Sequence, residues 1–187
     1  MRFLHLSDLH LGKRVCEFSM LDDQRYILEQ ILSLLDSHPV DAVLLAGDLY
    51  DKPVPPAEAV RLLDWFLTEL SRRELPVFAI SGNHDSADRV AFGSALLARK
   101  QGLRLTGVFR AAGAHHPHRR TRPGRSVLTA LFWKPAMVRH VWPDAPIESY
   151  NDALACVLDH CSPDPARRSV LVAHQFVAGA ASCESEE

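Results

Sequence analysis

Apolar side chains fall along this chain in two alternating rhythms. Short, nearly unbroken runs occur at Phe3-Leu4-His5-Leu6, Ala42-Val43-Leu44-Leu45-Ala46, Val77-Phe78-Ala79-Ile80 and Ser169-Val170-Leu171-Val172-Ala173. Their length suits strands, and the lack of polar alternation suits strands covered on both faces of a sheet. Between them the apolar positions recur at helical spacing. Leu21, Ile27, Leu28, Ile31, Leu32 and Leu35 predict a helix over about 20–37 that Pro39 ends. Leu62, Leu63, Phe66, Leu67 and Leu70 predict a second, opening after Pro53, Pro55 and Pro56 and running to about Arg73, since proline is tolerated in a first turn. Further helices are expected over about 88–100 and 149–161. Strand-like stretches at 103–109 and 126–133 flank a polar segment, 110–125, whose prolines and glycines predict a loop. The pattern is α/β, with no repeat and no linker that would divide 1–187 into two domains.

Composition adds bounds. A chain of 187 residues, 47% hydrophobic and 24% charged, is an ordinary soluble domain with room for a core. No apolar run reaches the ~20 residues that span a bilayer. Strand-like sequence starts at the N-terminus, so no leader is expected. Cys16, Cys156, Cys161 and Cys183 have neither zinc-ribbon nor CxxC spacing. They read as reduced thiols, which places the protein in the cytoplasm with no membrane partner. The net charge of −2 hides an asymmetry, because the stretch from Arg89 to Pro143 holds no Asp or Glu but eleven Arg and Lys, Arg89 included. Such a block suits either a polyanion surface or a solvated basic loop.

The chemistry sits where the apolar runs stop. Asp8-Leu9-His10, Gly47-Asp48, Gly82-Asn83-His84-Asp85 and His174 each follow one run. In open α/β sheets ligands collect beyond the carboxyl ends of the strands, so these residues are expected to meet at one edge. Carboxylate, imidazole and amide oxygen together suit a hard or borderline divalent metal. In an extended segment Asp8 and His10 would project the same way and grip one ion. Asp48 can bridge two ions, and Gly47 lets the chain turn sharply beside it. Asn83 offers its amide oxygen, His84 is placed to give a proton, and Asp85 is expected to hold the His84 tautomer. Two other groups of histidines point elsewhere: His5 reads as a core residue, and His115, His116 and His118 as loop residues.

These residues resemble the calcineurin-like metallophosphoesterase superfamily and, within it, the SbcD-type DNA-repair nucleases. The resemblance is carried by Leu6-Ser7-Asp8-Leu9-His10-Leu11-Gly12-Lys13, by Ala46-Gly47-Asp48-Leu49-Tyr50-Asp51-Lys52-Pro53-Val54-Pro55-Pro56 and by Ser81-Gly82-Asn83-His84-Asp85-Ser86. Lys134-Pro135-Ala136-Met137-Val138-Arg139 and Val172-Ala173-His174-Gln175 agree with it. It implies a pair of sheets flanked by helices and hydrolysis of DNA phosphodiesters with two divalent ions, typically manganese. It also implies that Asp8 and His10 bind one ion and that Asp48 bridges to a second, held also by Asn83 and His174. His84 would be catalytic without being a ligand. DNA and an SbcC-type ATPase would be partners, with a homodimer of this chain inside a heterotetramer. The family's last metal motif, Gly-His-x-His, would lie downstream of residue 187, so 1–187 is expected to be a nuclease domain cut before it. A phosphoesterase for small phosphodiesters or phosphoproteins, or an inactive fragment, would carry many of the same residues. The proline-rich stretch after Asp51 and Leu11-Gly12-Lys13 favour the nuclease.

Overall fold

The computed structural model describes residues 2–94, 97, 103–106, 115–116, 125–129, 134–161, 166 and 168–175. Four parallel strands form the main sheet: β1 (Phe3–Leu6), β4 (Ala42–Ala46), β5 (Val77–Ile80) and β6 (Leu103–Thr106), side by side in that order. Register is continuous across it, with Leu6 beside Leu45, Ala46 beside Ile80 and Ile80 beside Thr106. The carboxyl ends of β1, β4 and β5 therefore share one edge.

The two central strands are buried along their whole length, because each face has its own cover. Val43, Leu45, Val77 and Ala79 point to one side, where they pack with helix α1 (Leu21–Ser37) through Leu28, Leu32 and Leu35. Helix α2 (Ala57–Arg72) joins them through Ala59, Leu62, Leu63, Phe66 and Leu70. Ala42, Leu44, Ala46, Phe78 and Ile80 point to the other side and meet Val170 and Val172. Those two belong to β9 (Arg168–Val172), which runs parallel to β8 (Arg125–Thr129) in a second sheet completed by β7 (His115–His116). The architecture is thus a two-sheet sandwich with helices flanking the main sheet, as the family resemblance implies. Beside it, α4 (Pro135–Val141) and α5 (Tyr150–Cys161) pack on each other through Val138, Ile147, Ala153 and Val157.

Several expectations need correction. Ile27 is exposed rather than part of the α1 stripe, since it lies a full helical step from Leu28. His5 is exposed too: among the described strands β1 stands at the edge of the main sheet, next to β4. The expected loop 110–125 contains β7, paired to β8. Where a helix is expected over 88–100, the described residues form a turn of helix, α3 (Ala87–Val90), and are helical again at Ser94 and Leu97, with Leu97 N–H bonded to the Gly93 carbonyl at 3.1 Å; most of 95–102 lies outside them. A hairpin of β2 (Arg14–Val15) and β3 (Phe18–Ser19) and helix α4 are elements the apolar rhythm does not announce. Cys16 and Cys156 are free thiols, as their spacing implies. Most of the basic stretch, and the side chains of His115, His116 and His118, lie outside the described residues.

Candidate metal centre

The loops that leave β1, β4, β5 and β9 bring Asp8, His10, Asp48, Asn83, His84 and His174 together. Asp48 is the centre. Its side chain is almost wholly buried, and its Oδ2 lies 3.7 Å from His10 Nε2 and 3.4 Å from His174 Nε2. Its other oxygen, Oδ1, accepts the His84 backbone N–H at 2.9 Å. Two overlapping sets of donor atoms, Asp8–Asp48–His174 and His10–Asp48–His84, each lie within 4.8 Å of one another. The expected grouping puts Asp8 with His10 on one ion; those two are 3.8 Å apart, but Asp8 is grouped equally with His174 across the site. Asp48 is common to both sets, as a bridging carboxylate would be.

Strap-like backbone bonds position these donors. The loop after β1 lies alongside the loop after β4, with Asp8 N–H donating to the Gly47 carbonyl at 3.2 Å, His10 N–H to Asp48 at 2.9 Å and Leu11 N–H to Leu49 at 3.0 Å. The segment is not extended, as the i, i+2 reading assumes. Asp8, His10 and Asp48 have φ of 56°, 41° and 50°. Left-handed backbone at non-glycine residues costs of order 1–3 kcal/mol each and gathers where function needs it. Two glycines make the remaining approach possible. A Cβ on Gly47 would stand 2.5 Å from the His174 ring, and one on Gly82 would stand 2.0 Å from Asp48 Oδ1.

The donor set suits a divalent cation for a reason visible at His174. Its Nδ1 lies 2.7 Å from the Ala46 carbonyl oxygen, which can only accept, so Nδ1 carries the hydrogen. Nε2 then points at two oxygens, Asn83 Oδ1 at 3.1 Å and Asp48 Oδ2 at 3.4 Å. An imidazole lone pair facing a carboxylate and an amide oxygen needs a cation between them. Without metal that cation is a proton. The Asp48 carboxylate raises the His174 imidazole above its ordinary range, with the Ala46 carbonyl helping and burial opposing. At Asp48 burial pushes the carboxyl up, but His174 and the His84 N–H outweigh it and hold the group below the usual carboxylate range.

Residues 1–144 match the calcineurin-like phosphoesterase family. The chain belongs to that family. It is also similar over its whole length to the SbcD subunit of the SbcCD nuclease of Staphylococcus epidermidis (strain ATCC 12228 / FDA PCI 1200), at 31% identity over 189 residues. The match takes in 49% of that protein, so the chain spans about half the length of this curated relative. As a calcineurin-like phosphoesterase, the chain is expected to work with divalent metal, which the donor cluster around the buried Asp48 suits.

Within this phosphoesterase site, Asp85 does a different job from the one its sequence position suggests. Its Oδ2 accepts the N–H groups of Leu49 at 3.0 Å and Gly82 at 2.9 Å, and its Oδ1 accepts that of Tyr50 at 2.9 Å. It clips the β4 and β5 loops together. The His84 imidazole is held instead by the Asp51 carbonyl, 3.0 Å from Nδ1, which fixes a hydrogen on Nδ1 and leaves Nε2 for the site. Asp51 also faces His10, with Oδ1 3.6 Å from Nδ1, and the His10 and His84 rings meet edge to face at 4.8 Å. Asp51 is a residue that sequence reasoning misses. The available signal is its place three residues after Asp48, in the same short loop. Among the described residues, no helix is long and apolar enough to cross a membrane.

Proposed function

We propose that this chain is the catalytic domain of an SbcD-like nuclease that hydrolyses DNA phosphodiesters with two divalent ions, manganese by preference. The observation that carries the reading is the buried Asp48 carboxylate, set between His10 Nε2 at 3.7 Å and His174 Nε2 at 3.4 Å. Asp8, His10 and Asp48 would hold one ion; Asp48, Asn83 and His174 the other. When bound, the ions supply Lewis-acid polarisation of the phosphate and a water acidified enough to attack it. His84 is exposed at the rim of the site. With its Nδ1–H fixed on Asp51, the ring acts as an imidazolium: it gives the second proton, carried on Nε2, to the departing oxygen and is left neutral. Asp85 acts through the loops, keeping His84 and Asp48 in register.

Three features support a DNA substrate and a larger assembly. The similarity to the SbcD subunit of the SbcCD nuclease extends along the whole chain. Eleven Arg and Lys fall from Arg89 to Pro143 inclusive with no acidic residue among them, a charge pattern suited to phosphate backbones. Tyr26, Ile27, Leu34 and Val60 are exposed apolar side chains on α1 and α2, suited to a homodimer. On this reading the partner is an SbcC-type ATPase, which confers ATP dependence, and the complex works in the cytoplasm in DNA repair and recombination.

The test is Mn2+-dependent cleavage of linear duplex DNA by the chain, alone and with an SbcC-type ATPase, beside a small phosphodiester such as bis(p-nitrophenyl) phosphate. His84→Ala should keep its metal and lose ~10²–10⁴ in rate. Asp48→Ala should lose metal and activity together. Hydrolysis of the small ester with no cleavage of DNA in either arm would refute the nuclease reading. Loss of metal from His84→Ala would refute the role given to that residue.

A further inference from the structure

The loop that carries His10 is held on both sides. On one side are the backbone bonds to the β4 loop. On the other is the side chain of Gln24, in the first turn of α1. Its Nε2 donates to the Leu9 carbonyl at 3.2 Å and to the His10 carbonyl at 2.8 Å, and its Oε1 accepts the Gly12 N–H at 3.1 Å. One half-buried amide thus satisfies three backbone groups across the segment in which Asp8 and His10 take left-handed φ. That conformation turns the His10 carbonyl toward α1 and the imidazole toward Asp8 and Asp48. A backbone this strained persists only when its surroundings over-determine it. Gln24 offers both the donors and the acceptor that the loop needs, at the spacing of a planar amide.

We infer that Gln24 is a positioning residue for the metal centre: it keeps His10 in its ligand geometry without touching an ion. The inference rests on the reading of this site as a metal centre, and it adds a residue that lies outside every strand-end motif. Nothing in the sequence chemistry of α1 singles it out; the apolar stripe there reads only as core. The alternative is that Gln24 merely ties a loop down and contributes to stability like any other buried contact.

Mn2+ titration of the chain, followed by the EPR signal of the free ion, separates the two. Gln24→Met keeps the side-chain length and removes both donors and the acceptor. Its Mn2+ affinity should fall by ~10–100-fold, the range found when groups that orient a ligand are removed. Leu28→Ala, one helical turn away in the core, is the control. It should lower Tm by at least as much and leave Mn2+ affinity unchanged. Equal affinity in Gln24→Met and the unmodified chain overturns the inference, as does an equal loss of affinity in Leu28→Ala. Asp48→Ala separates the two levels of the argument. If the unmodified chain binds Mn2+ no better than Asp48→Ala, the metal-centre reading falls and Gln24 with it. If Asp48→Ala loses the ion but Gln24→Met does not, only the role of Gln24 falls.

Discussion

Replacing Gly82 by alanine adds one methyl group to the most crowded point of the site. The new carbon would stand 2.0 Å from Asp48 Oδ1, 2.4 Å from Asp48 N and 2.7 Å from Asp48 Cγ. Asp48 is 2% exposed, so it has no free space to move into. Forcing a methyl into packed surroundings costs about 1–3 kcal/mol. Moving Asp48 Oδ1 aside also breaks its bond from the His84 N–H, worth roughly 1.5–3 kcal/mol because the acceptor is charged. The sum is about 2.5–6 kcal/mol. Gly93 is the matched control, since it has φ of +72° and nothing within 4 Å of an added Cβ. Gly93→Ala should cost only the left-handed strain, about 1–2 kcal/mol. Urea denaturation of both variants reads the difference, and Mn2+ binding should fail in Gly82→Ala alone. If Gly82→Ala is no less stable than Gly93→Ala and keeps its metal, the close packing of Gly82 on Asp48 is not what holds the site.

Three further outcomes follow from other parts of the molecule. Asp85→Ala leaves the Leu49, Tyr50 and Gly82 N–H groups without their acceptor and should cost at least ~3 kcal/mol in urea melts; an unchanged melt with a slower reaction would instead favour a direct link to His84. Tyr50 has a phenol pushed up to about 12 by burial first and then by Asp85 and Asp64. A folded-state value above the unfolded one favours the fold at lower pH, so stability should decline from pH ~10 upward, and an ultraviolet titration should show one tyrosine ionising near 12. Phe66, fully buried under the main sheet, should cost ~3–5 kcal/mol when cut to alanine, read as a shift in urea midpoint with an unchanged slope.

Much of this fold is written in local pattern. The runs at 42–46 and 77–80 are apolar on successive residues because helices cover one face and β9 the other, and that pattern is visible without coordinates. The strand-end positions of Asp8, Asp48, Asn83 and His174 follow from the same logic. What escapes is set by geometry that spacing does not encode. The β2–β3 hairpin turns through Cys16 and Glu17, with φ of 46° and 67°, where asparagine and glycine are the usual signal. Asp85 stands next to His84 in sequence, yet its oxygens face backbone N–H groups of another loop. Asp51 serves His84 through its carbonyl, a group every residue has, so no side-chain motif reports it. Gln24 lies in a different element from everything it holds.

The donors arrive from both layers of the sandwich. Asp8, Asp48 and Asn83 follow neighbouring strands of the main sheet, whereas His174 follows β9 of the second and bonds the Ala46 carbonyl across 128 residues of chain. Closing so long a loop costs somewhat more entropy than the shorter closures within the main sheet, though the cost grows only logarithmically with length. An ion held by both Asp48 and His174 would act as a rivet between the layers. Ion uptake and the seating of β9 would then be one equilibrium, and added Mn2+ should slow amide exchange in β9 more than in β4.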